Sequence, residues 1–154
     1  MSKSRNRRGF SLIELLIVIA IILIIVTVAL PKLNNATRFA HEAAAIKAIQ
    51  TIQTMQVQYN SQYGRFATAL TELGPPASGA ANASSADLID SNLAAGEKSG
   101  YKFTMSGNQS GYAITAVPVA YGNTGSRTFY SDQSMAIREN DGPEPATASS
   151  KEMK

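Results

Sequence analysis

From Phe10 to Leu30 the chain carries a single charged residue, Glu14, in an otherwise apolar run bounded by Arg8 and Lys32. No other feature limits the possible folds so sharply. A continuous stretch of Leu, Ile and Val this long lacks the alternation of a half-buried strand. At ~1.5 Å per residue it forms a helix about as long as the ~30 Å hydrocarbon core of a bilayer. It therefore reads as a membrane-spanning helix. Glu14 is the exception that needs a cause. A charge at mid-bilayer costs roughly 2.5–3.5 kcal/mol on insertion scales, and less near the interface. An anchor alone needs no carboxylate, so Glu14 has either a partner or a task.

The remaining length supports one modest domain, since 154 residues leave no room for two full cores beside an anchor. The absence of cysteine excludes a disulfide framework and thiol chemistry. The net charge of +3 is a matter of location: Lys3, Arg5, Arg7 and Arg8 supply four of the fourteen cations. From Phe10 onward ten basic residues face eleven acidic ones, so a general polyanion binder is not indicated and no specific nucleic acid is expected as a partner. The cations before the run, with Lys32 after it, favour a cytoplasmic N-terminus.

Two readings of this N-terminus leave Glu14 without a role. One is a plain signal anchor or cleavable secretory signal, with Leu15–Val26 as the apolar core and Thr27-Val28-Ala29 as a poor cleavage site. The other takes Arg7-Arg8-Gly9-Phe10-Ser11-Leu12 as a twin-arginine export signal. The third reading uses more residues. Gly9-Phe10-Ser11-Leu12-Ile13-Glu14, after a short basic leader and before a long apolar helix, closely resembles the class III signal of type IV prepilins and type II secretion pseudopilins.

The resemblance implies a cut between Gly9 and Phe10 by a prepilin peptidase/methyltransferase and N-methylation of Phe10. Glu14 matches the acidic residue of that signal, and Pro31 matches a proline at the far end of the membrane segment. Phe10, Glu14 and Pro31 are thus the expected assembly residues. Cleavage creates an α-amino group with an unperturbed pKa of ~7.7–8.0, and Phe10 and Glu14, four residues apart, share a helix face. The carboxylate can pair with that cation within a subunit or across to a neighbour, which fixes register more than it adds stability. On this reading Glu14 serves assembly and is not needed for insertion or cutting.

The resemblance further implies an α+β fold: a long N-terminal helix packed on a three- to four-stranded antiparallel sheet. The expected function is a structural pilus subunit without enzymatic activity or cofactor. Its partners would be like subunits in a filament and an inner-membrane assembly platform. It would reside in the inner membrane before assembly and in an extracellular filament afterwards, serving adhesion, twitching motility or DNA uptake. The alternative is a type II secretion pseudopilin. Major pseudopilins usually carry a Pro-rich, Trp- and Asp-containing calcium loop, and this chain has no Trp. The lack of a cysteine pair departs from many pilins.

The expected divisions are a cleaved leader over 1–9, an assembly helix over 10–31, and an amphipathic helix over 32–66. A variable loop region over 67–100, a sheet over 101–138 and a flexible tail over 139–154 follow. Pro31 either kinks the helix or marks the membrane exit. Beyond it, Ile49, Ile52, Met55, Tyr59, Tyr63 and Phe66 recur at steps of three and four, a stripe facing the core. Gln50, Gln53, Thr54, Gln58 and Ser61 are expected to be solvated, as are His41 and Glu42 on the polar side. Gly64 predicts the helix end, and Ser85–Leu93 a short helix in the loop region. Alternation predicts strands over Tyr101–Met105, Gly111–Val117, Arg127–Ser131 and Met135–Arg138.

Catalytic signatures are thin. His41 is the only histidine and lacks a second ligand or nucleophile at suitable spacing, and Gly122-Asn123-Thr124-Gly125 is a turn with no phosphate-binding Lys after it. No metal site is expected. Phe10, Phe39, Tyr59, Tyr63 and Phe66 raise electron conduction as a remoter possibility, but a helical aromatic stripe more often packs a core.

Overall fold

The structure is a computed structural model that describes residues 9–108 and 110–153. The leader cations Lys3, Arg5, Arg7 and Arg8 lie outside those residues. The chain divides into two compact units, Met1–Ala36 and Thr37–Lys154.

Helix α1 spans Leu12–Tyr63, 52 residues, and runs through Pro31. Its apolar part includes a stretch of mean hydropathy 3.3, none of it buried. From Leu12 to Leu30 every residue is exposed, as expected of a surface meant for lipid or for other subunits. The helix ends where glycine permits it: Gly64 adopts φ +70 and its N–H donates to the Asn60 carbonyl at 2.8 Å.

In the second unit the amphipathic part of α1 packs on an antiparallel sheet. Ile49, Ile52 and Tyr59 are fully buried, with Met55, Tyr63 and Phe66 packed at the margin. The predicted stripe is therefore the core-facing one. Two short helices, α2 (Leu70–Leu73) and α3 (Ser91–Ala94), follow α1 in the chain before the sheet begins. The helix expected at Ser85–Leu93 starts later because Asp90 caps it, accepting the Leu93 N–H at 3.1 Å. The expected loop region 67–100 is thus more ordered than its Ala, Ser and Gly content suggested. Leu70, Leu73, Ile89 and Leu93 insert into the core, and backbone bonds from Leu88 and Ile89 to Leu73 tie its halves together.

The sheet is a meander in the order β1 to β6: Glu97–Lys98, Tyr101–Asn108, Gly111–Pro118, Arg127–Asp132, Ile137–Asp141 and Lys151–Glu152. Three of the four long strands begin where alternation placed them, with β2 running on to Asn108, whereas the strand expected over Met135–Arg138 begins only at Ile137 and runs to Asp141. Register pairs Phe103 with Ala116, and Ala116 with Phe129, which lines buried side chains across one face toward α1. The expected count of three to four is corrected to six. The two additions are edge strands of two residues, each bearing one cation and one anion, too short to leave a periodic signal.

Of residues 139–154, expected as a flexible tail, the described residues 139–153 are built into the fold. The Glu144 carbonyl accepts from Thr128 Oγ1 at 2.7 Å and from Asn140 Nδ2 at 3.0 Å, and Ala146 is buried. β6 then pairs with β5 through Arg138↔Glu152 and Glu139↔Lys151. This covering explains why Thr128 and Phe129, on opposite faces of β4, are both buried. Backbone acceptors, the buried Ala146 and Met153 at the core margin hold the segment, contacts too scattered to leave a hydropathy pattern.

Candidate processing and assembly site

Gly9, Phe10 and Ser11 precede the helix in non-helical backbone. Phe10 is 85% exposed, and a Cβ added at Gly9 would meet nothing within 4 Å. Gly9 has neither a positive φ nor a close neighbour to explain it. Among the described residues, nothing in the local packing calls for a glycine there.

Ser11 and Glu14 define the helix start. The Leu15 N–H donates to the Ser11 carbonyl at 3.2 Å, and the Ser11 N–H donates to Glu14 Oε2 at 2.8 Å. Glu14 is thus the third helical residue reaching back to the cap, one arm of the capping-box pattern Ser-x-x-Glu. The carboxylate satisfies a backbone donor and lies at the positive end of the helix dipole. This local partner for Glu14 was missed in the sequence reading, although Ser11-Leu12-Ile13-Glu14 displays the signature. Pro31 lies far along the same helix, so it is not brought together with Phe10 and Glu14.

A second carboxylate on α1 was misplaced outright. Glu42, expected on the solvated side beside His41, is 1% exposed and faces the sheet, whereas His41 is half-buried. Glu42 Oε1 accepts from the Ser126 N–H at 2.8 Å and from Ser126 Oγ at 2.9 Å. Oε2 accepts from Arg127 Nε at 3.0 Å and Nη2 at 2.8 Å. Arg127 Nη1 continues to Glu139 at 2.7 Å. Burial pushes the Glu42 carboxyl up, but the Ser126 and Arg127 hydrogen bonds and the Arg127 charge outweigh it and hold it below the usual range. Gln53, also expected in solvent, is buried and donates to Ser131 Oγ at 2.6 Å and to the Met135 carbonyl at 3.1 Å. In both cases partners on the sheet compensate for burying a polar side chain.

A similar network fastens the segment after α1. Glu72 accepts from Arg65 at 2.8 Å, from Thr68 Oγ1 at 2.9 Å and from the Tyr59 hydroxyl at 3.1 Å. Burial raises the Glu72 carboxyl, while Arg65 and Thr68 lower it further, to a net position below its ordinary value. Burial also pushes the Tyr112 hydroxyl up to about 12. These groups fasten elements of the second unit to one another. The rings of Tyr59 and Tyr63, with centroids at 4.7 Å, and of Phe66 and Tyr112, at 5.3 Å, belong to the same packing.

A long exposed apolar helix, capped by its own Glu14, thus follows a non-helical, exposed Gly9–Phe10 junction. Residues 4–30 match the family model described as the prokaryotic N-terminal methylation motif, so the chain carries the class III prepilin signal of the type IV pilin and pseudopilin family. That motif marks chains for prepilin processing and pilus-type filaments. Neither the curated proteins nor the solved structures yield a match to this chain.

Proposed function

We propose that the chain is a structural subunit of a type IV pilus. It is made as a prepilin, cut between Gly9 and Phe10, N-methylated on Phe10 and passed from the inner membrane into a helical filament. The observation that carries this reading is the junction itself. Gly9 and Phe10 are exposed in non-helical backbone, no described neighbour calls for the glycine, and a helix with Glu14 in its first turn follows at once. After cutting, the Phe10 amine lies one residue from the Ser11 N–H that Glu14 already accepts, so carboxylate and ammonium are within reach of pairing. Pro31 completes the assembly set as the one residue of α1 that offers no backbone N–H.

The pilus is preferred to a secretion pseudopilus because the chain has no Trp and its Asp141–Pro145 segment is spent on holding the sheet. Mass spectrometry of the membrane and filament fractions tests the reading. The mature chain is expected to begin at methylated Phe10. Assembled material that retains Met1, or that begins after Ala29, would sink the prepilin assignment.

A further inference from the structure

Resting on the processing reading above, we infer that Glu14 is also a positioning residue for the cut: by capping α1 it keeps the Gly9–Phe10 peptide outside the helix. The argument turns on one donor. If α1 continued upstream, the Ser11 N–H would bond to the carbonyl of residue 7, and the Gly9 carbonyl would accept from the Ile13 N–H. Instead the Ser11 N–H is taken by Glu14 Oε2 at 2.8 Å, and the helix starts at Leu12. The carboxylate and the upstream carbonyl compete for the same hydrogen, and the carboxylate has it.

Hydrolysis adds water across the Gly9–Phe10 bond, leaving a carboxylate on Gly9 and an amine on Phe10. Attack requires the Gly9 carbonyl to be presented free, which a helical turn would prevent. The exposure of Phe10, at 85%, and the open space at Gly9 fit a peptide offered in that form. Capping therefore acts on the free precursor by raising the fraction competent to bind, and an incompetent fraction lowers apparent affinity in proportion. The contribution is one of rate, and cutting still runs to completion without it.

The experiment is steady-state cleavage of the full-length precursor in detergent micelles by a prepilin peptidase, with Cα chemical shifts of Gly9 and Phe10 recorded on the same samples. Glu14→Leu, which loses the acceptor, is expected to raise KM roughly three- to tenfold with kcat unchanged. It should also move the Gly9 and Phe10 shifts toward helical values. Glu14→Gln retains an acceptor oxygen, since Gln serves the capping box as Glu does, and should restore both readouts. Unchanged constants in Glu14→Leu would overturn the inference. So would a fall in kcat at constant KM, which means the enzyme reads the carboxylate itself, or a Gln variant behaving like Leu. If the wild-type precursor is not cut at Gly9–Phe10, the processing reading falls and the positioning role with it, while the shifts still decide whether Glu14 caps the helix.

Discussion

Replacing Glu42 tests whether the head is fastened to α1 at the point where the helix first becomes buried. Four hydrogen bonds converge on its carboxylate, at 2.8, 2.9, 3.0 and 2.8 Å, two of them from the Arg127 guanidinium. Breaking one side of a buried ion pair costs ~3–5 kcal/mol, mainly because the other charge is stranded. Here the stranding is asymmetric. Without Glu42, Arg127 still has Glu139 at 2.7 Å and remains 28% exposed. Without Arg127, Glu42 is left 1% exposed with only Ser126. Glu42→Leu should therefore cost about 2–4 kcal/mol, and Arg127→Met should cost more, nearer ~4–5 kcal/mol.

The assay is urea unfolding of the full chain in detergent, followed by near-ultraviolet dichroism of the buried Tyr59, Tyr101 and Tyr112, because the protein has no Trp. Glu42 is held below its ordinary range when folded, so its stabilisation is complete above the unfolded pKa of ~4.3. It is lost as pH falls through the lower folded value. The gap between wild type and Glu42→Leu should stay constant from neutral pH to about 5 and narrow below about 4.3. A Glu42→Leu protein as stable as wild type, or the reverse ranking of the two variants, would refute the reasoning.

Three further outcomes are expected. Gly125→Ala should destabilise by ~2 kcal/mol or more in the same assay, because the new Cβ would collide with the Tyr101 hydroxyl, which crosses Gly125 to donate to the Arg127 carbonyl at 2.8 Å. A fragment beginning at Lys32 should be soluble and monomeric by light scattering and folded by circular dichroism, since the exposed apolar run is gone; aggregation would contradict the packing of the Ile49–Phe66 stripe. Glu14→Gln, in cells lacking a wild-type copy, should be processed and inserted yet yield few sheared filaments, because the Phe10 ammonium loses its counter-charge; abundant filaments would make Glu14 a capping residue only.

What could be read in the sequence follows the distance over which each interaction acts. The span, the α1 end at Gly64, the Ile49–Tyr59 stripe and the four long strands are set by neighbours within a few residues, and the chain displays them as period and punctuation. The two edge strands and the folded residues 142–150 rest on backbone acceptors, which no side-chain pattern records. Glu42 and Gln53 looked solvated because polarity on a helix ordinarily marks its wet face. Their partners lie 84 and 85 residues away for Glu42, and 78 and 82 for Gln53.

The two carboxylates of α1 make the contrast causal. Glu14 reaches back three residues to Ser11, so both its oddity in an apolar run and its capping role are written within Ser11-Leu12-Ile13-Glu14. On the proposed processing, its remaining capacity as a charge is left for an amine that the cut would create. Glu42 has spent both oxygens inside the head and has none to offer a partner. A carboxylate saturated within its own chain serves stability, and one whose charge is not yet answered is available for assembly. By that criterion assembly should respond to loss of charge at Glu14, whereas a substitution at Glu42 should act on assembly only as far as it unfolds the head. Measuring filament yield and head stability on the same pair of variants separates the two.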